Sequence, residues 1–408
     1  MGEELGGAVG YRIRFDNYTT PGKTRLEFMT EGVLVREMLS DPLLTRFSVV
    51  VVDEAHERSA QVDLLLGLLR KIARKRPMLR IVVASATADV ESFLRFFRRR
   101  PGRAGDSGNV ALPARKRPRC GWDDEAGDFH KQRAEDADWR GLCRDLSGGS
   151  ALPERDVCLV QVEGRLHPVD VHYLEEAACD YIETAAETVL GIHQGQPEGD
   201  ILVFLTGREE IDGCCTLIRE RLQRLCELAE KPSQKPKPLT AVPLHGGLPK
   251  ETQLKAFVPA PRGARKVVVS TNIAEASITI EGIIYVVDAC LVKMDAFCPH
   301  NGATYLNIAP SSRSSARQRA GRAGRTRPGH CFRLLTEAAF ASDAVPEHTL
   351  PEVARSDLKD IVLLLKCLGV DDVGAFDFVT APSRDAVELA LEELYALGAI
   401  DSEARVAE

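Results

Sequence analysis

The chain has 408 residues, 44% of them apolar and 28% charged, with a formal net charge of -7. That length has room for two or three domains, and the charge excludes a wholesale electrostatic coat for nucleic acid while leaving local basic patches open. Eleven cysteines without a C-x-x-C rhythm, no charged-then-apolar leader and no apolar run near the roughly 18 residues of a bilayer span point to a cytosolic or nuclear enzyme with reduced thiols.

In chain order, the first informative run is VVVVDEAH, residues 49–56. Four β-branched residues read as a buried parallel strand, and its carboxyl edge is where α/β sheets bind ligands. Asp53 there would hold Mg²⁺ through water, and Glu54 would orient and deprotonate an attacking water. The plainer alternative is an N-cap cluster, because acidic side chains favour the first turn of a helix. A zinc protease is excluded, since the position four after His56 is Ala60. Residues 61–74 are predicted helical. Residues 81–84 are predicted to be a strand running into Ser85-Ala86-Thr87, two hydroxyls at a second strand end. Residues 1–97 therefore form one α/β lobe. From 98 to 156, Arg, Gly, Asp and Pro displace the aliphatics, which predicts a disordered insertion. Its ARKRPR segment is explained equally by solvated charge and by a nuclear localisation patch.

A second α/β region spans residues 157–336, with buried strands predicted at 201–205, 266–270 and 283–288 and a Pro/Lys-rich loop from Lys231. Its alternation with helices predicts another parallel sheet. Within QRAGRAGR, residues 318–325, a helix would set Gln318, Arg322 and Arg325 on one face, and the glycines would admit close approach of another surface. Two guanidinium groups presented together suit a transferring phosphoryl group, whereas a surface arginine cluster is the alternative. Residues 337–408 lose the strand signal, and amphipathic helices are predicted at 357–368 and 385–397.

The ordered series TEGVLVREML, DEAHER, SAT, ILVFLTGREEID, LHGGLP, STNIAEASITIEG and QRAGRAGRTRPG resembles the DEAH-box RNA helicases, over nearly the whole chain apart from the insertion. The resemblance implies two RecA-like parallel-sheet lobes, the first incomplete, followed by a winged-helix and the start of a helical ratchet region. It implies ATP and Mg²⁺ as ligands and RNA as partner. It assigns Asp53, Glu54, His56, Gln318, Arg322 and Arg325 to catalysis, with Asp53 and Glu54 at the metal. Phe257 would stack on the base, and Thr279 and Glu281 would lie near the ribose or phosphates. Thr30, Gly207, Arg208, Thr271 and Asn272 would contact the RNA backbone; His56, Ser85 and Thr87 would couple the two sites. Residues 289–309 match the family's strand-separating hairpin. The stretches DPLLTRFSVV and LYALGAID most resemble the branch called DEAH-box helicase thirty-five. Pre-mRNA splicing, a ribonucleoprotein setting, an activator protein and a nuclear location follow as family expectations.

Read singly, Phe257 would be core in most proteins. Thr271 and Asn272 would cap the helix after 267–270, which is compatible with phosphate contact.

The family's G-x-x-x-x-G-K-[ST] loop does not occur in these 408 residues. Gly22-Lys23-Thr24 is a decoy, with Asn17 where the first glycine belongs and a short inter-strand connection around it. Ala276 stands where the family usually has Thr, and Glu281 where Asp is common. Without a central first-lobe strand, apolar sides and strand edges are expected to lie exposed. Two rival readings are a non-hydrolysing RNA-binding or scaffold protein and a DNA helicase.

Overall fold

The computed structural model describes residues 4–86, 90–98, 157–162, 164, 167–229, 235–276 and 278–407. Thr87, residues 99–156 of the insertion expected over 98–156, and residues 231–234 of the loop from Lys231 lie outside the described residues, whereas Arg98 is helical. The chain divides into two units: Met1–Ala88 with Gly164–Glu408, and Asp89–Glu163, whose described residues carry the helix α3 (Val90–Arg98).

The first lobe runs β1 (Val9–Ile13), β2 (Asp16–Tyr18), β3 (Leu26–Met29), α1 (Glu31–Ser40), β4 (Val49–Val52), α2 (Ala60–Lys75) and β5 (Arg80–Val83). Its strands make two separate sheets among the described residues: β2-β1-β3, and the parallel pair β4-β5. The valine run forms the strand its β-branching predicts but is not buried on both sides. Val50 and Val52 are buried, whereas Val49 is 49% and Val51 60% exposed, as is Val82 of β5 at 47%. Side chains alternate across a strand, and of the two faces of β4 only the one carrying Val50 and Val52 is covered. The expectation of exposed apolar sides in this lobe matches the structure.

The second lobe contains β6 (Val169–Leu174), α4 (Tyr181–Gly195), β7 (Asp200–Phe204), α5 (Arg208–Leu228), β8 (Leu239–Leu244), α6 (Lys250–Leu254), β9 (Arg265–Ser270), β10 (Ile283–Asp288), β11 (Leu291–Cys298), β12 (Ala303–Pro310), α7 (Arg313–Gly321) and β13 (Gly329–Thr336). Six strands form one parallel sheet in the order β6-β13-β10-β7-β9-β8. Here continuous apolar runs are buried on both faces. Ile201, Val203, Val267, Val269, Tyr285 and Val287 pack with Val189, Ile211 and Ile218 of α4 and α5. The alternate residues Leu202, Phe204, Val268 and Val286 pack with Ala320 and Ala323. At about 1.5–3 kcal/mol for each fully buried aliphatic side chain, this double-sided core is a large stabilising contribution to the sheet. Residues 291–310 form the antiparallel hairpin β11-β12.

After α8 (Glu337–Ala341), the amphipathic segments become α9 (Lys359–Cys367) and α10 (Arg384–Ala396). Ser383 caps α10 by accepting from Ala386 N at 3.2 Å. The C-terminal segment docks on α2. The Glu352 carboxylate accepts from Ala60 N at 2.8 Å, Thr380 Oγ1 accepts from Arg58 at 2.7 Å, and Arg70 lies 3.2 Å from Asp377. A Cβ on Gly67 would come within 2.5 Å of the Phe376 ring and 2.7 Å of the Asp377 carbonyl, so α2 approaches as closely as only glycine allows.

Candidate functional site

The acidic turn is built where β4 ends. Asp53 is exposed, and its Oδ1 accepts from Glu54 N at 2.9 Å. Glu54 has φ 50 and Arg58 φ 52, left-handed conformations that bracket the 3₁₀ turn Ala55–Glu57. Such conformations are costly for non-glycine residues and persist where surrounding contacts fix them. Those contacts are visible: Ala55 N donates to Ala84 O at 3.0 Å, and Arg58 grips Asp63 at 2.8 and 2.9 Å. Ala86 N donates to His56 Nδ1 at 3.2 Å. That nitrogen is thus an acceptor, and the ring's Nε2 faces Glu54 Oε2 at 3.4 Å. His56 therefore joins the Ser85-Ala86 strand end to the general-base candidate. Thr87 lies outside the described residues.

On the second lobe, Arg322 and Arg325 are not on one long helix with Gln318. Helix α7 stops at Gly321, Arg322 is its C-cap, and Arg325 stands in the following turn. Two glycines weaken the helix here. A Cβ on Gly324 would lie 2.5 Å from His167 O and 2.8 Å from Val169, a close approach that accounts for that glycine. Gln318 is half-buried in α7. Arg322 donates to the carbonyls of Glu275, of Ala276 at 2.9 Å and of Ile278 at 3.1 Å, and Arg325 donates to Thr279 Oγ1. Burial and the neighbouring Arg325 lower the Arg322 pKa to about 10, opposed by the carboxylates of Glu54 and Glu275. A guanidinium with that value is still charged at neutral pH, and Glu54 of the first lobe is among the charges acting on it.

The motif's remaining arginine, Arg319, is 2% exposed and spans two carboxylates, Glu275 at 2.8 Å and Asp288 at 2.9 Å. Sequence reasoning passed over it. The available signal was its place inside the stripe Ala316, Ala320 and Ala323, all buried.

The other candidates fall into two groups. Gly207 and Arg208 follow β7, and Thr271 and Asn272 follow β9, adjacent parallel strands paired Phe204 to Ser270, so these four share the sheet's carboxyl edge. Gly207 is the N-cap of α5. A Cβ there would meet Glu210 Oε2 at 2.7 Å and Lys293 Nζ at 3.0 Å, the two ends of an ion pair that sequence reasoning also missed. Arg208 is exposed beside Asp212 at 3.7 Å. Instead of a helix, a single 3₁₀ turn over Asn272–Ala274 follows β9, and the Thr271 side chain makes no cap bond. Thr30 is the exposed N-cap of α1, likewise without a side-chain cap bond. Phe257 is 41% exposed on the connection from α6 to β9. Thr279 and Glu281 are exposed, with Thr279 held by Arg325.

As a test of fit, Mg²⁺ is bound through one or two carboxylates plus water and phosphate oxygens rather than by a full protein cage. The exposed Asp53 beside Glu54 meets that demand, and among the described residues no group of three or more His, Cys, Asp or Glu side chains competes as a metal site. Among the described residues no helix is long and apolar enough to cross a membrane.

Residues 182–327 match the helicase conserved C-terminal domain. Over 408 residues the chain is 41% identical to the human protein called probable ATP-dependent RNA helicase DHX35, covering 100% of this chain and 50% of that protein. It is 43% identical over 397 residues to the Caenorhabditis elegans homolog, covering 97% of this chain and 46% of that protein. A crystal structure of Escherichia coli HrpB, described as a DEAH/RHA helicase, superposes with TM-score 0.74 at 32% identity, covering 99% of this chain and 42% of that one. A second, described as the DExH-box NTPase HrpB, gives 0.70 at 31% identity over 100% of this chain and 41% of that one. The chain spans about half the length of the curated relatives it matches.

Proposed function

We propose, for a chain that belongs to the DEAH-box family of ATP-dependent RNA helicases, that it carries the hydrolytic and RNA-tracking surfaces of such a motor, coupling ATP hydrolysis to remodelling of RNA or RNA–protein complexes. The observation that carries this reading is geometric: the turn after β4 presents an exposed Asp53 bonded to Glu54 N, with His56 against the Glu54 carboxylate, and the turn after α7 carries Arg322 and Arg325, bonded to Ala276 and Thr279. An acid beside the water and a guanidinium beside the developing phosphate charge are what in-line phosphoryl transfer requires from a protein.

In this reading Asp53 would hold Mg²⁺, and Glu54 would accept the proton of the attacking water. ATP with Mg²⁺ supplies the transferable phosphoryl group when bound. Arg322 and Arg325 would exchange their carbonyl and hydroxyl partners for phosphate oxygens, and Gln318 of the same motif is assigned to catalysis with them. Phe257 stacks on the base, and Thr279 and Glu281 lie at the ribose or phosphates. Gly207, Arg208, Thr271 and Asn272 at the carboxyl edge, with Thr30 on the first lobe, follow the RNA backbone. His56, bonded to Ala86 and facing Glu54, transmits between strand end and acid together with Ser85 and Thr87. The hairpin β11-β12 separates strands. Pre-mRNA splicing in the nucleus, with ribonucleoprotein partners and an activator protein, is the setting we propose from the family; immunofluorescence showing an exclusively cytoplasmic protein would rule that setting out.

The test is RNA-stimulated ATP turnover by this chain. Because no G-x-x-x-x-G-K-[ST] occurs in its 408 residues, turnover is expected to be weak or absent, and robust turnover lost in Glu54→Gln would overturn that expectation. Lys23→Ala should leave any measured turnover unchanged. Tight RNA binding insensitive to ATP analogues would favour the scaffold reading instead.

A further inference from the structure

Lys266 is a charged residue in a strand whose six members are all buried, and it is itself 3% exposed. Its Nζ donates to Ala256 O at 2.9 Å and to Val258 O at 3.1 Å, and it lies 3.9 Å from the Asp200 carboxylate. Asp200 is held in turn by Lys266 N, 3.0 Å from its Oδ1. Burying an ammonium is costly unless its donors are satisfied, and here three oxygens surround it. The two carbonyls are those on either side of Phe257. Ala256 is fully buried, while Phe257 is 41% and Val258 60% exposed. Downstream stand Pro259 and Pro261, which have no N–H to tie this connection to a neighbouring strand. The lysine thus supplies the fixing that a backbone ladder would otherwise give, and does so symmetrically about a single outward-facing ring.

We propose that Lys266 is the positioning residue for Phe257, clamping the main chain on both sides so that the ring is held ready to stack on the nucleotide base. This rests on the reading of Phe257 given above. A ring fixed before binding loses little conformational freedom when the base arrives, so the clamp favours stacking without touching the nucleotide. An apolar residue would fill the same space but leave both carbonyls without their donor.

Two measurements on the full chain test the clamp. In amide hydrogen exchange, Lys266→Met should speed exchange over residues 254–258 by on the order of tenfold while leaving β10 unchanged, and Lys266→Arg should restore protection. Lys266→Gln, which keeps a polar tip, serves if the methionine variant does not fold. Unchanged exchange over 254–258 in the folded variants overturns the proposal. In binding, the preference for ATP over a ribose triphosphate without a base should fall on the order of tenfold in Phe257→Ala and in Lys266→Met alike, since base stacking on an aromatic ring is worth that much. If Phe257→Ala lowers the preference and Lys266→Met does not, the clamp is unnecessary and the proposal fails. If Phe257→Ala has no effect, the base-stacking reading fails by itself, and the exchange experiment still decides whether Lys266 fixes the segment.

Discussion

Arg319 and Arg322 stand three residues apart and have opposite surroundings. Arg319 is enclosed by Glu275 and Asp288, and its pKa is raised because the two carboxylates outweigh burial; Arg322 is pulled the other way by burial. Replacing Arg319 by Met would strand two carboxylates, one of them on the fully buried Asp288. Breaking a buried ion pair from one side costs about 3–5 kcal/mol, so urea unfolding of Arg319→Met should show a loss of that order. His193 offers a pH test. Its Nε2 donates to Lys237 O at 2.8 Å, and burial lowers its pKa from the usual 6.5. The unfolded chain then binds the proton more readily, so this contribution to stability is complete above about pH 6.5 and is lost as the pH falls through the depressed folded value. Between pH 7.5 and 5.5 the parent should lose more stability than His193→Gln does, as read by unfolding at each pH.

At the scale of elements, what was legible followed periodicity. The strands at 201–205, 266–270 and 283–288, and the helices α2, α9 and α10, fall within about two residues of their expected limits, because double-sided burial and an amphipathic stripe each write a distinct pattern. Two failures share another cause. The helix through Arg325 ends at Gly321, and the valines of β4 are exposed on one side, since both outcomes depend on which surface lies opposite rather than on the segment itself. Of the candidate site, placement at strand ends was legible: Gly207 and Arg208 follow β7, and Thr271 and Asn272 follow β9. Arg319, Lys266 and the Glu210–Lys293 pair escaped because their partners are distant in sequence. Gly67 marks another such contact. Gly67→Ala should overpack α2 against Phe376 and cost about 1–3 kcal/mol. Faster hydrogen exchange across residues 376–380, with the six-stranded sheet unaffected, would identify the docked segment as the part that gives way.

For the whole molecule, the two lobes differ in finish: the first leaves apolar strand faces open and the second covers both faces of its sheet. Val49, Val51 and Val82 leave apolar surface on a two-stranded sheet, an arrangement prone to association. Val51→Thr with Val82→Thr should lower light scattering at a given concentration and change stability by no more than about 0.5 kcal/mol for each site. An unchanged aggregation threshold would place the sticky surface elsewhere.

The strap between the acidic turn and the C-terminal segment carries a consequence for biosynthesis. Arg58 is fastened to Thr380 across 322 positions, and the first amide of α2 to Glu352 across 292. At roughly 5–20 residues per second, a ribosome needs tens of seconds to deliver those partners after the turn has emerged. During that interval the carboxylates exist on a nascent chain whose anchor has not been made. A premature stop before residue 352 would therefore do more than shorten the tail: it would release a first lobe whose acidic turn never receives its final fastening.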